Sequence, residues 1–275
     1  MISRAAPAKI NLALVVGPKR PDGLHEVATL LQRVDLADTI SLETAPKLTV
    51  QGFEEDTLVS DALVAVAAAA GVEPRWRARI EKRIPVASGL GGGSSDAATT
   101  LLALNELWAC RLSLDELASL ALPLGADVPV FIQGSSAWAE GVGERLTPVR
   151  LAPAWYVILY PGVGMSTREV FQSPELTRNS PLITIRAFFQ SGGRNDCEPV
   201  VRARSPEIAA ALDWLAHQGD ARLTGTGSCV FAVRASAADA ERLAARVPDR
   251  WMSFVARGLD TSPVHALLGQ HGQRD

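Results

Sequence analysis

From Lys9 the chain alternates polar and apolar residues through Leu12, and residues 9–16 are predicted to form a β-strand. The alternation places Ile10, Leu12 and Leu14 on one face and Lys9, Asn11 and Ala13 on the other. Residues 20–23, Arg-Pro-Asp-Gly, make a turn, because proline presets one dihedral and glycine accepts a positive φ. Strands follow over Val34 to Leu42 and Lys47 to Gln51. Asp56 and Thr57 read as the cap of a helix from Leu58 to Ala70, which Gly71 ends.

Trp76 to Lys82 alternates again and runs into a glycine-rich turn, residues 88–96. Beyond it Ala97, Leu101, Leu104 and Trp108 form a helical stripe. Ser113 and Glu116 have capping-box spacing, so the next short helix begins there. Residues 137–149 read as extended, punctuated by Gly141 and Gly143. Near residue 150 the pattern restarts, with strands at Trp155 to Tyr160, Arg222 to Thr224, Val230 to Val233 and Trp251 to Val255. Helices are predicted over Pro206 to His217 and Ala237 to Arg246. Residues 173–195, rich in Pro, Ser, Gly and Arg, read as a long irregular connection. The fold class is α+β, the second half being an antiparallel sheet with helices on one face. Two domains are expected, 1–150 and 151–275.

Composition narrows this further. The 275 residues can form two lobes, and 47% hydrophobic against 21% charged residues describes a globular enzyme, not a disordered chain. A net charge of -3 offers no electrostatic footprint for nucleic acid or an anionic membrane. Cys110, Cys197 and Cys229 are odd in number and far apart, which suits a reducing compartment and small buried hydrophobes. Residues 1–9 lack a signal-peptide core and no stretch is apolar enough to span a membrane, so a cytoplasmic protein is expected.

The strongest chemical signal is Pro85, Val86, Ala87, Ser88, Gly89, Leu90, Gly91, Gly92, Gly93, Ser94 and Ser95, set between a strand and a helix. The glycines free backbone N–H groups to converge on an anion, and the helix N-terminus adds its own donors. The run is neither the common P-loop, lacking its lysine, nor the dinucleotide fingerprint, with Ser94 where the third glycine belongs. A ligand-free glycine turn is the bland alternative. Asp127, bounded by small and apolar residues, reads as a buried or half-buried carboxylate that needs a partner or a chemical task; helix capping is its ordinary role. Lys9 and Asn11 share a strand face that could hold a carboxylate or simply be solvated. Gly225, Thr226 and Gly227 lie between two short strands and permit close backbone approach, to a ligand or in packing. His25 reads as an ordinary surface histidine, and His217, His265 and His271 carry no assigned role.

Taken together, the lysine-bearing first strand, the glycine loop and the Gly-Thr-Gly turn resemble the GHMP kinases. The likeness continues through residues 7–12, 22–25, 36–40, 82–85, 124–131, 139–144, 195–198 and 223–227, in order along the chain. These stretches are most similar to the members that phosphorylate a cytidine diphosphate-linked methylerythritol. The resemblance implies a two-lobed α+β fold, an N-terminal ATP-binding lobe and a C-terminal ferredoxin-like lobe, with the site between them. It implies ATP phosphates against residues 85–95, closed by Gly225, Thr226 and Gly227. Asp127 is then the general base and Lys9 its partner, while Asn11, His25, Thr167 and Phe171 hold the cytidine end. Mg²⁺ is expected mainly on the ATP phosphates, with Ser95 the nearby hydroxyl and no protein ligand assigned. A monomer or weak homodimer is expected, with no nucleic-acid or membrane partner.

Two positions depart from the pattern: Leu24 stands where a tyrosine commonly faces the cytosine, and Thr57 where an asparagine lies near the adenine. The rival readings are a kinase of the same superfamily acting on mevalonate, homoserine or a sugar, and a non-catalytic nucleotide-binding or RNA-binding module. The absence of a basic stripe and of stacked aromatics weighs against the module.

Overall fold

The computed structural model describes residues 1–53 and 57–265; the expected cap at Asp56, and His271, lie outside them. Two long strands organise the first half. β1 (Ile2–Lys19) pairs antiparallel with one edge of β2 (His25–Thr44) along most of its length. The other edge of β2 is shared by three strands in turn. β5 (Ala137–Gly141) takes residues 27–31, β10 (Met252–Leu259) takes 33–34, and β4 (Trp76–Glu81) takes 39–44. β3 (Thr49–Gln51) pairs parallel to β4, and β6 (Arg145–Pro148) completes a hairpin with β5.

Because β10 also pairs antiparallel with β7 (Trp155–Tyr160), the last strand joins the two halves of the chain in one sheet path. β9 (Val230–Arg234) and β8 (Arg222–Leu223) continue that path outward from β7.

The helices form behind these strands for readable reasons. α1 (Thr57–Ala70) and α2 (Gly92–Leu107) bury Leu63, Val66, Leu101 and Leu104 in a core shared with Ile40 and Ile80 of the sheet. α3 (Leu114–Ala121) carries the expected capping box, with the Ser113 side chain accepting from Glu116 N–H and Glu116 reaching back. In the second half α8 (Pro206–Ala216) and α9 (Ala237–Ala244) cover one face of the sheet through Leu212, Leu215 and Leu243. A further core joins Ile10 and Leu30 to Tyr156, Ile158 and Phe231, so strands of both halves share one apolar layer. Each of its fully buried aliphatic side chains contributes roughly 1.5–3 kcal/mol relative to exposure.

Residues 173–195 are less irregular than their composition suggests. They contain α6 (Ile185–Ser191), with Thr184 Oγ1 accepting from Ala187 N–H at 3.2 Å and Phe188 buried. Three more short helices form where no period was legible: α4 (Val128–Gln133), α5 (Thr167–Gln172) and α7 (Glu198–Arg204). Segments of six or seven residues are too short to show a 3.6-residue repeat.

The expected faces of β1 also need correction. Asn11 pairs with Leu31 but Ala13 with Leu30, so one extra residue bulges out of β1 at Leu12. A slip of one residue exchanges the faces, and Leu14 joins Lys9 and Asn11 instead of Ile10.

Candidate active site

That face of β1, with Val27, Thr29 and Leu31 of β2 beside it, borders a cavity of about 620 Å³. Lys9 is only 5% exposed. Its Nζ donates to Asn11 Oδ1 at 2.8 Å and to the Gly89 carbonyl at 2.9 Å, and lies 3.7 Å from Asp127 Oδ2. Asn11 is fixed in turn, its Nδ2 donating to Thr29 Oγ1 at 2.8 Å and its N–H to Thr224 Oγ1 at 3.0 Å. A buried ammonium must be surrounded by acceptors, and here oxygens from three separate segments supply them.

Asp127 is more open than its neighbours' apolar character suggested: its side chain is 53% exposed. The reason is local. Val128 to Ile132 turn into the core as the first residues of α4, while the residue preceding that helix remains at the rim. Asp127 makes no capping bond to α4, which leaves its carboxylate directed at Lys9.

The glycine loop connects β4 to α2 and supplies the opposite wall. Gly91 precedes α2 at φ 71° with no side-chain cap, so the first-turn N–H groups of the helix have no side-chain acceptor there. Gly89, at φ 78°, meets the following turn through its backbone: a Cβ there would lie 2.3 Å from the Thr224 carbonyl. Gly225 answers from the other side, where a Cβ would lie 3.1 Å from the Gly89 carbonyl. Pro85 to Gly89 and Gly91 to Ser94 line the cavity, as do Gly225 and Thr226; Gly227 does not.

Two loop residues point elsewhere. Leu90 is fully buried in the core beneath the loop, contributing its carbonyl to Lys9 N–H at 3.0 Å. Ser95 is also fully buried and donates its hydroxyl to the Pro7 carbonyl at 2.7 Å, so the hydroxyl on the cavity side is that of Ser94.

Beside the loop stands a charged group to which the sequence reading gave no role. Lys82 Nζ bridges Asp38 at 2.5 Å and Asp96 at 2.8 Å, both carboxylates being fully buried. Asp38 also accepts from Arg83 and Ile84 N–H, at 2.5 and 2.8 Å. Burial alone would lower the Lys82 pKa, but Asp96 and Asp38 together outweigh it and raise it. The triad ties the end of the strand entering the glycine loop to the N-terminal half of α2. Its members are 44 and 14 residues from Lys82, a separation no local pattern reveals.

At the other end of the cavity Thr167 and Phe171 of α5 form the wall, and Thr167 Oγ1 shares a 3.0 Å hydrogen bond with Thr226 Oγ1. His25 does not line the cavity itself; its ring stacks on Phe171 with centroids 6.2 Å apart. Arg178 Nε donates to His25 Nε2 at 3.3 Å, and its Nη2 holds the carbonyls of Phe171 and Ser173 at 2.8 Å each. Leu24 is exposed, and Thr57 borders the cavity beside Phe53 and Leu58. Of the cysteines, Cys197 and Cys229 are buried, burial pushing the Cys197 thiol up to about 12, while Cys110 is half-buried.

A deep cleft in an α+β fold, with a glycine loop at a helix N-terminus facing a lysine–aspartate pair, defines a phosphotransferase of the small-molecule type. Family models for the GHMP kinases N terminal domain and the GHMP kinases C terminal match residues 57–135 and 175–252, and the chain belongs to the GHMP kinase family. It is 46% identical over 286 residues to the 4-diphosphocytidyl-2-C-methyl-D-erythritol kinase of Chromohalobacter salexigens, covering 99% of this chain and 96% of that one. The enzyme of the same name from Halorhodospira halophila is also 46% identical, with 96% of each chain covered. A crystal structure of 4-(cytidine 5'-diphospho)-2C-methyl-D-erythritol kinase superposes with a TM-score of 0.84 at 34% identity, covering 94% of this chain and 99% of that one.

Proposed function

We propose that this protein transfers the γ-phosphoryl group of ATP to the 2-hydroxyl of 4-diphosphocytidyl-2-C-methyl-D-erythritol, giving the 2-phosphate and ADP. The observation that carries the reading is Lys9 Nζ, 3.7 Å from Asp127 Oδ2 and 2.9 Å from the Gly89 carbonyl. One ammonium thereby joins the candidate base to the candidate phosphate loop. The near-full-length relatives support the substrate.

In this mechanism Asp127 accepts the hydroxyl proton as the oxygen attacks the γ-phosphorus, and the bond to the β-phosphate oxygen breaks to release ADP. Lys9 orients Asp127 and offsets charge developing between the two substrates. Backbone N–H groups of residues 85–95 and the N-terminus of α2 receive the phosphates. Gly225, Thr226 and Gly227 close on the same region. Thr167 and Phe171 receive the cytidine end, with Asn11 beside them and His25 behind Phe171. Phosphoryl transfer needs mainly positioning and charge stabilisation, which this set provides.

Among the described residues no group of three His, Cys, Asp or Glu side chains is arranged to hold a metal. In this reading Mg²⁺ is held mainly by the nucleotide's phosphates, where it neutralises their charge. No helix among the described residues is long and apolar enough to cross a membrane. We read the protein as a cytoplasmic monomer or weak homodimer of two domains, 1–150 and 151–275.

An ADP-release assay across cytidine-linked methylerythritol, mevalonate, homoserine and simple sugars tests this. Turnover confined to the cytidine-linked alcohol is expected. Preference for another alcohol would assign a different substrate, and ATP binding without turnover on any of them would point to a non-catalytic module.

A further inference from the structure

The segment 195–198, Asn-Asp-Cys-Glu, has no place in the mechanism above, yet it lies between two of its parts. Three hydrogen bonds sew it to β1. Leu14 N–H donates to the Arg194 carbonyl at 2.8 Å, Asp196 N–H to the Leu14 carbonyl at 2.8 Å, and Val16 N–H to Asp196 Oδ2 at 2.9 Å. Asn195 therefore sits at a fixed place beside the strand that carries Lys9 and Asn11.

From that place its side chain reaches the phosphate-side turn. Nδ2 donates to the Leu223 carbonyl at 3.0 Å and to the Gly225 carbonyl at 2.8 Å, while Oδ1 accepts from Cys197 N–H at 2.9 Å. Both amide protons thus hold carbonyls of one turn, and the oxygen fixes which way the amide faces. Asn195 and Leu223 also border a second cavity, of about 750 Å³. On its other side the turn touches the Gly89 backbone, and Thr224 Oγ1 donates to the Gly89 carbonyl at 3.3 Å.

We propose that Asn195 is a positioning residue for phosphoryl transfer, setting the turn at residues 224–227 against Gly89 and the Lys9–Asn11 strand. It touches neither substrate; it acts through Gly225 and Thr226, which line the cavity. The inference rests on the kinase reading. A misplacement of about 1 Å at such a site can lower turnover on the order of 100-fold.

Asn195→Asp is the discriminating variant. It keeps the size of the side chain and the acceptor for Cys197 N–H, but turns both donors into an oxygen facing two carbonyls. Asn195→Ala removes the side chain without that repulsion. Each is assayed for kcat and for both KM values at a temperature where its melting curve shows it folded. Expected is a drop in kcat of about 10- to 100-fold in Asn195→Asp and a smaller drop in Asn195→Ala, with the KM for the cytidine-linked alcohol little changed. Folded variants that keep kcat within about threefold of wild type would overturn the proposal, as would a loss that merely tracks the unfolded fraction. Absence of turnover in the wild-type protein, measured alongside, would instead count against the kinase reading itself.

Discussion

Lys9 and Asp127 form an ion pair of unequal partners, 3.7 Å apart, with the lysine side chain 7% exposed and the aspartate 53%. The lysine is held independently by Asn11 and the Gly89 carbonyl. Asp127 can therefore exchange a proton, or lose its charge, without stranding a buried cation that has no other partner.

Asp127→Asn should accordingly fold and bind ATP nearly as wild type does, while kcat falls by about 10²–10⁴, the usual worth of a general base. Steady-state kinetics together with titration of a non-hydrolysable ATP analogue checks both halves. Wild-type turnover would remove Asp127 from the mechanism.

Gly89→Ala tests the contact between loop and turn. Its φ of 78° and a Cβ 2.3 Å from the Thr224 carbonyl require the two backbones to part. Conformational strain alone costs roughly 1–2 kcal/mol for a residue forced into that region. Calorimetric titration with the same analogue should show severely weakened binding, and an unchanged Kd would mean the loop is not the phosphate site.

Gly92→Val fails for a different reason. A Cβ at Gly92 meets Ile84 at 3.0 Å and Lys82 at 3.3 Å, so the added side chain presses on the core and the Lys82 triad. Overpacking of this kind costs typically about 1–3 kcal/mol, and the melting temperature should fall along with ATP affinity. Lost affinity with an unchanged melting temperature would show that the side chain obstructs the phosphates without disturbing the fold.

Phe171 lines the cavity and Leu24 is exposed, so in the proposed complex the cytosine would have one aromatic wall at this end. Stacking of a base on an aromatic side chain is worth roughly 1–3 kcal/mol. Phe171→Ala should raise the KM for the cytidine-linked alcohol by about 5- to 150-fold and leave that for ATP in place. A lower melting temperature with both KM values unchanged would make Phe171 a packing residue only.

His25 should give the fold an acid-sensitive element. Its pKa lies below the ordinary 6.5, first because partial burial disfavours the imidazolium, then because Arg178 and Lys19 repel it. The unfolded chain thus takes up this proton at a higher pH than the folded one. Stability attached to His25 is intact above 6.5 and declines as pH falls through that value toward the folded pKa. His25→Gln should flatten the fall of Tm on acidification; His265, shifted in the same direction, remains in both proteins and does not contribute to the difference. Parallel Tm curves would show that His25 is not the sensitive group.

Local signals located much of this site. The alternation around Lys9 and Asn11, the glycine loop entering α2 and the Ser113 capping box all rest on spacings of a few residues. What escaped depends on partners distant in sequence. The face of Leu14 is decided by a bulge opposite β2, visible only in the pairing. Lys82 acquires meaning from Asp38 and Asp96, and Asn195 from a turn about thirty residues away. Asp127 was expected to be buried or half-buried because its neighbours are apolar; those neighbours enter α4 and leave the aspartate at the rim, its side chain 53% exposed.

The proposed reaction transfers one phosphoryl group to one hydroxyl. Mass spectrometry and phosphorus NMR of the products formed from the purified protein, ATP and 4-diphosphocytidyl-2-C-methyl-D-erythritol test it most directly. Expected is one new phosphate monoester on the 2-hydroxyl, formed in step with ADP and absent with Asp127→Asn on the same timescale. Release of ADP without a phosphorylated alcohol, or a phosphate at another position, would contradict it.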